Sequence, residues 1–269
     1  MLRCWGLGST LTVFVVLLQA PASRRLAPIR ARRCKGTSSK KFAPNVVFLA
    51  GTMADLGLIE TMRARDGRLP WLSRHLARLH ASVAALKVAP PPDDIIDLVR
   101  IAAGGADRIV RLELRNGNVE ISTRNVEEQL PVRVVVSEEP HLPYPHKTTQ
   151  REAFGRAFAN ARRMGAHDAL LVNAENYVTE GTAWSLFWWK NGTLCTPAEE
   201  LGILPGVGRS RIMELVGVEE QRVQPAELAG RSLFLVNAVR GVVEISRLEG
   251  EPVPRDPRTA ELSASFWPD

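Results

Sequence analysis

The sequence predicts an α+β fold in two lobes. Helix-period and strand-period segments are interleaved without a regular repeat, two Asn-Gly dipeptides each join a pair of strand-like runs, and a Pro-containing stretch at 141–146 divides the patterned sequence. At 269 residues, with 45% hydrophobic and 24% charged residues, the chain has an ordinary globular composition and can bury a sizeable core.

Each element has its own justification. Residues 56–63 carry apolar side chains at 56, 58 and 62, an alternation that Glu60 interrupts, and predict a strand ended by Asp66-Gly67. Over 71–86, Leu72, Leu76, Leu79, Val83 and Leu86 recur at helical spacing. Pro90-Pro91-Pro92 stops further helix, and Asp93 or Asp94 is placed to cap the next one, running to Ala102. Strands 109–114 and 119–123 flank Asn116-Gly117, a dipeptide that accepts the positive φ of a tight hairpin turn. Another apolar strand follows at 130–137.

In the second half, Ala153, Phe154, Ala157, Phe158, Ala161 and Met164 share one face of a helix over 150–164, with Thr148 or Thr149 as its cap and Gly165 past its end. Short strands are expected at 169–173, 185–189, 194–196, 232–236 and 242–246, the second and third joined at Asn191-Gly192. Helices are expected at 209–215 and 259–265. The chain thus divides into a tail at 1–52, a smaller α/β lobe at 53–138 and a larger lobe at 139–269.

Charge is unevenly placed. The first 52 residues hold nine basic residues and no acid, whereas the remainder carries 26 basic against 29 acidic residues. The net charge of +6 therefore describes the tail, and the body offers no basic surface of the kind that binds nucleic acid. Residues 1–23 have a signal-like arrangement of Arg3, the apolar run 11–18 and Ala20-Pro21-Ala22, followed by a basic, Ser-rich segment expected to be disordered. Eight apolar residues are too few to cross a bilayer, so no membrane span is expected. An artefactual upstream extension explains the same segment, which makes the cytoplasm the expected location and leaves export open.

Three cysteines cannot form a disulfide framework, and the five histidines show no metal-ligand spacing. No Gly-x-Ser-x-Gly elbow, Walker loop or Gly-x-Gly-x-x-Gly signature is present. Trp184, Trp188 and Trp189 suit core packing or a pocket wall, and Asn191-Gly192-Thr193 is a formal glycosylation acceptor that also reads as a turn. Lysine usage is more informative: beyond residue 53 there are 23 arginines and only Lys87, Lys147 and Lys190. Lysine can lose its proton and attack a carbonyl, which arginine cannot do. Lys87 follows a helix end and Lys190 sits at a hairpin tip, both solvated positions. Lys147 lies at the lobe junction, ahead of a helix amino terminus whose field should depress its pKa. A structural lysine and a catalytic one remain alternatives at this point.

Several motifs together resemble one family. They are Leu58-Ile-Glu-Thr-Met-Arg63, His75-Leu-Ala-Arg-Leu79, His146-Lys-Thr-Thr149, Val178-Thr-Glu-Gly-Thr-Ala-Trp-Ser-Leu-Phe187, Thr196-Pro197, Leu204-Pro-Gly-Val-Gly-Arg209 and Leu233-Phe-Leu-Val-Asn237. In order and spacing they resemble the class IV aminotransferases, the fold-type IV pyridoxal-phosphate enzymes, which include branched-chain and D-amino-acid aminotransferases and 4-amino-4-deoxychorismate lyase.

The resemblance implies a small α/β lobe plus a larger lobe with a β-barrel-like sheet, pyridoxal 5'-phosphate between them, and a homodimer. It gives Lys147 the role of condensing with the cofactor aldehyde. Glu180, 33 residues further on, becomes the carboxylate that keeps the pyridine nitrogen protonated. Arg78 becomes a phosphate ligand, Gly206, Val207 and Gly208 a backbone phosphate cradle, Asn237 and Ala238 a second phosphate turn, and Arg111 a candidate for the substrate carboxylate. No metal is implied. The chain departs from the common pattern at Trp184-Ser185 in place of Ser-Asn, at Ala238 in place of a hydroxyl residue, and at Glu152 in place of the tyrosine common in branched-chain enzymes. The implied activity is amino transfer between an amino acid and a 2-oxo acid. Release of pyruvate and 4-aminobenzoate from aminodeoxychorismate is the alternative within the family, and a catalytically inactive binding protein the alternative outside it.

Overall fold

A computed structural model describes residues 10–13, 56–127 and 132–268. Of the expected tail, only a short strand, β1 (Thr10–Val13), falls among them; the signal-like and disordered readings of 1–52 otherwise lie outside the described residues.

The smaller lobe is a four-stranded antiparallel sheet under two helices. Its elements are β2 (Leu58–Ala64), α1 (Leu72–Leu86), α2 (Ile95–Ala103), β3 (Arg108–Arg115) and β4 (Asn118–Asn125), and the strand order is β1-β4-β3-β2. Alternate residues of the strands, among them Leu58, Met62, Val110, Leu112 and Leu114, form one core with Leu76 and Leu79 of α1 and Val99 of α2. The hairpin turns at Asn116 (φ 52°) and Gly117 (φ 77°), the positive-φ pair its sequence announces. Asp94 does take the cap position of α2, but its side chain makes no capping bond.

The larger lobe consists of β5 (Val132–Pro140), α3 (Glu152–Arg163), β6 (Asp168–Val172), β7 (Val178–Gly181), β8 (Ser185–Lys190), β9 (Thr193–Pro197), α4 (Val207–Leu215), β10 (Val218–Gln221), β11 (Leu233–Asn237), β12 (Gly241–Leu248), β13 (Glu251–Pro252) and α5 (Pro257–Ser265). Eight strands run in the order β10-β9-β8-β11-β12-β5-β6-β7, with β13 paired to β12. The sheet curls until its ends meet: Val178 N–H of β7 donates to Val223 O just beyond β10 at 2.8 Å, which makes the sheet barrel-like. Along β8 the side chains alternate between two cores. Leu186 and Trp188 join Val134, Leu170, Leu235 and Ile245 on one side, while Phe187 and Trp189 join Phe234, Ile212 and Leu262 on the other. Trp188 and Trp189 are therefore core residues, and Asn191 (φ 50°) is a turn residue.

Three expectations change. β5 pairs with β6 and β12, so the lobe boundary falls before residue 132 rather than at 138. Helix α3 is capped by neither Thr148 nor Thr149. Thr148 bridges Leu58, and Thr149 exchanges backbone and hydroxyl bonds with Gly57, so both are committed to extending β2 and the helix starts after Arg151. Helix α4 begins at Val207, two residues before its expected start.

Three of the contacts that join the lobes stand out. Ile59 N–H donates to Lys147 O at 2.8 Å. Arg74 of α1 pairs with Glu214 of α4 at 2.8 Å. Trp71, at the head of α1, stacks on Trp267 and meets the edge of Phe266 after α5, with ring centroids 4.7 and 4.9 Å apart.

Candidate active site

Between the lobes lies a cavity of about 230 Å³, and all nine residues singled out from the sequence line it: Lys147, Glu180, Arg78, Gly206, Val207, Gly208, Asn237, Ala238 and Arg111. They come from β2's neighbour α1, from β3, from the segment before α3, from β7 and from the turns around α4 and β11, so only the folded chain unites them.

Lys147 is presented by a segment whose backbone is bonded on to β2, which leaves its side chain part open to the cavity. Burial is the main influence on its amine; Arg151 and Arg78 add positive charge, Glu60 and Glu180 oppose them, and the balance lowers its pKa to about 7. The expected helix field is not among these causes. A lysine with this pKa is about half neutral at physiological pH, as a nucleophile or proton carrier must be.

Glu180 lies on β7 and is buried. Its Oε1 accepts from His141 Nε2 at 3.0 Å and from the backbone N–H of Leu204 at 3.2 Å. The loop after it is pinned by Asp168, whose carboxylate accepts from Thr182 N (2.9 Å), Thr182 Oγ1 (3.0 Å) and Trp184 Nε1 (3.0 Å). Burial raises the Asp168 pKa and these donors counter it. The Trp184 departure thus has a structural reason: its indole N–H anchors the loop that follows Glu180.

The glycines make a cradle. The first N–H groups of α4 have no partner within the helix, and the capping position is Gly206. A Cβ on Gly206 would lie 2.8 Å from Ser185 Oγ, and one on Gly208 would lie 2.8 and 2.9 Å from the backbone C and Cα of Asn237. The two turns expected to take the phosphate are thereby packed directly against each other. The Asn237 side chain shapes its own turn, donating to Ala183 O and accepting from the N–H groups of Val239 and Arg240.

Arg78 is held in place before any ligand arrives. Its Nε and Nη2 clasp the buried carboxylate of Glu60 at 2.9 and 2.6 Å, and its Nη1 donates to Pro205 O at 3.0 Å. Burial pushes the Glu60 pKa up, but Arg78 and His75 outweigh it and bring it down to about 2. His75 Nδ1 lies 2.7 Å from the same carboxylate and donates to it; burial lowers the His75 pKa, and the bond to Glu60 opposes that shift.

Sequence reasoning missed several residues. Arg151 lines the cavity, donates to Thr182 O and lies over the Phe154 ring at 4.7 Å. Arg124 and Arg240 line the cavity with Arg111. The single signal available was Glu60, a carboxylate breaking an apolar strand. Arg111 also pairs with Glu113 at 3.2 Å on its own strand. Among the described residues no group of three His, Cys, Asp or Glu side chains could hold a metal, and no helix is long and apolar enough to cross a membrane.

Chemically, the cavity fits an aldehyde-bearing phosphate ester of a pyridine: a half-neutral amine, a buried carboxylate facing the same space, and a helix amino terminus that a Cβ would obstruct. Comparison with known proteins agrees. The profile of the family described as amino-transferase class IV matches residues 57–248. The chain is 28% identical over 206 residues to the "Putative aminodeoxychorismate lyase" of Schizosaccharomyces pombe, covering 71% of this chain and 89% of that one. It is 34% identical over 122 residues to the "Probable branched-chain-amino-acid aminotransferase" of Thermotoga maritima, covering 40% and 44%. In structure it resembles the branched-chain amino acid aminotransferase of Thermobaculum terrenum in its pyridoxal-phosphate form, with a TM-score of 0.69, 21% identity, and 80% and 85% of the two chains covered.

Proposed function

Because the chain belongs to the amino-transferase class IV family, whose members are pyridoxal-phosphate-dependent enzymes, we propose that it moves an amino group between an amino acid and a 2-oxo acid, working as a homodimer. The observation that carries the proposal is the placement of Lys147, with its pKa lowered to about 7, and Glu180 on one cavity. Pyridoxal phosphate, when bound, supplies an aldehyde for the amine and a ring that stores the electron pair left when a substrate Cα loses its proton.

The chain's own residues supply the rest. Lys147 would hold the cofactor through its amine and would serve as the base for the substrate Cα proton. Glu180 would hold a proton at the ring nitrogen and so favour the storage of that electron pair. Gly206, Val207, Gly208 and the Asn237-Ala238 turn receive the phosphate, with Arg78 fixed beside them by Glu60. Ile59, Leu204, Trp184 and Val236 give the cavity apolar walls that exclude water. Arg111, Arg124 and Arg240, which line the same cavity, would meet a substrate carboxylate.

A second reading within the family has a specific observation behind it. The match to the S. pombe protein spans 89% of that relative, against 44% for the T. maritima aminotransferase. In that reading the same Cα deprotonation is followed by loss of pyruvate from aminodeoxychorismate, leaving 4-aminobenzoate. One paired assay tests both. Purified protein is given an amino-acid panel with 2-oxoglutarate, and separately aminodeoxychorismate. Amino transfer with no 4-aminobenzoate supports the first reading, 4-aminobenzoate alone supports the second, and neither product from a cofactor-loaded protein sinks both. Light scattering at assay concentration tests the homodimer.

A further inference from the structure

We propose that His141 is a positioning residue for the cofactor ring nitrogen, acting through Glu180; this rests on the reading of Glu180 as the carboxylate that faces that nitrogen. His141 is the first residue after β5, and its backbone N–H donates to Val172 O at 2.7 Å, which fixes the side chain beside β6 and β7. The side chain is fully buried, and its ring meets the edge of Phe154 with centroids 5.9 Å apart. Its Nε2 lies 3.0 Å from Glu180 Oε1. An ionised carboxylate only accepts, so the imidazole carries its proton on Nε2 and donates it.

The bond does more than join two buried groups. Oε1 also receives the Leu204 N–H, so both donors sit on one oxygen and set the rotation of the carboxylate plane. Oε2, with no donor among the hydrogen bonds of the described residues, is left for the cavity that Glu180 lines. The opposite side of the imidazole shows that the ring is not there for packing. Nδ1 is buried without a hydrogen-bond partner among the described residues, an arrangement that opposes folding. A phenyl ring would fill the same space without that penalty. What only histidine, or another donor of its reach, provides here is the bond to Glu180.

The test compares His141→Gln, which keeps a donor at similar reach, with His141→Met, which keeps the length and loses the donor; His141→Phe adds a ring without a donor. Apo proteins are titrated with pyridoxal phosphate for affinity, and the visible band of the loaded proteins is followed against pH. The proposal expects the Met and Phe variants to bind the cofactor about ten-fold more weakly and to shift the pH midpoint of the band, while the Gln variant stays close to the parent in both. Met and Gln variants that behave alike, whether both resemble the parent or both fail, overturn it. Glu180→Gln separates the underlying reading: if that substitution alters neither affinity nor band, the assignment of Glu180 falls, whereas a response to Glu180→Gln with none to His141→Met removes only the role of His141.

Discussion

The lowered pKa of Lys147 makes a quantitative demand on how the protein takes up its cofactor. Only the neutral amine attacks an aldehyde, so the rate of loading should follow the neutral fraction. With a pKa of about 7 that fraction is about one half at pH 7, against about three in ten thousand for an unperturbed lysine, a difference of roughly a thousand-fold in rate. Arg151 is the largest single charge acting on the amine, after burial itself. Arg151→Gln should therefore raise the pKa; each unit is worth about 1.4 kcal/mol and would cut the neutral fraction at pH 7 from about a half to about a tenth, slowing loading about five-fold there. Parent and variant should converge in alkali, where both amines are neutral. Stopped-flow absorbance after mixing apo protein with pyridoxal phosphate from pH 6 to 10 reads the midpoint, and borohydride fixation with peptide mapping places the adduct on Lys147. Because Arg151 also donates to Thr182 O, a structural defect would lower the alkaline plateau, whereas loss of charge moves the midpoint. A parent midpoint above about pH 9, or a variant with an unmoved midpoint, refutes the reasoning.

Lys147→Met should abolish the borohydride-fixable adduct and stabilise the apo fold most at neutral and acid pH. The unfolded chain binds the extra proton between about pH 7 and 10.5, so the parent gains stability as pH rises through that window and the variant does not; thermal midpoints at pH 6 and pH 10 read the difference. Glu60→Gln leaves the half-buried Arg78 beside a neutral amide, and with the Glu60 pKa lowered from 4.5 to about 2 it should cost roughly 3 kcal/mol at pH 7 by urea denaturation. That contribution is present in the parent above about pH 4.5 and fades toward pH 2, so the two proteins should approach each other in acid. In Gly208→Ala the new methyl would meet backbone atoms of Asn237 at under 3.0 Å, which forces the two phosphate turns apart; cofactor affinity should fall at least about ten-fold by equilibrium dialysis, and an unchanged affinity would remove the phosphate from this cradle.

What the sequence disclosed depended on whether the physics was local. Helix α1 and the Asn116-Gly117 and Asn191-Gly192 turns were legible because spacing and positive φ are written within a few residues. Strand β7 was not, because all four of its residues are buried and a strand covered on both faces has no alternation to read. Strand β10 was hidden for the opposite reason: Val218-Glu-Glu-Gln221 is a polar edge whose partner lies at 194–197. Within the site, Lys147 stood out through the scarcity of lysine, and Glu180 through its motif. Arg151 and His141 did not, since the bonds that fix them, to Thr182 O and to Glu180, reach partners 31 and 39 residues away. The capping role given to Thr148 and Thr149 failed because a strand competed for the same residues, which no local rule anticipates.

The bond from Ile59 N–H to Lys147 O, with its neighbour from Thr149 N–H to Gly57 O, ties the reactive side chain's own peptide to the edge of the smaller sheet. The amine is thus carried by neither lobe alone. Any hinge movement that opens the cleft for an incoming amino acid must either drag this peptide along or unzip those two bonds, so access and reactivity are mechanically geared to each other. Sequence changes on the outer surface of the smaller sheet, far from any ligand, acquire by this linkage a lever on turnover.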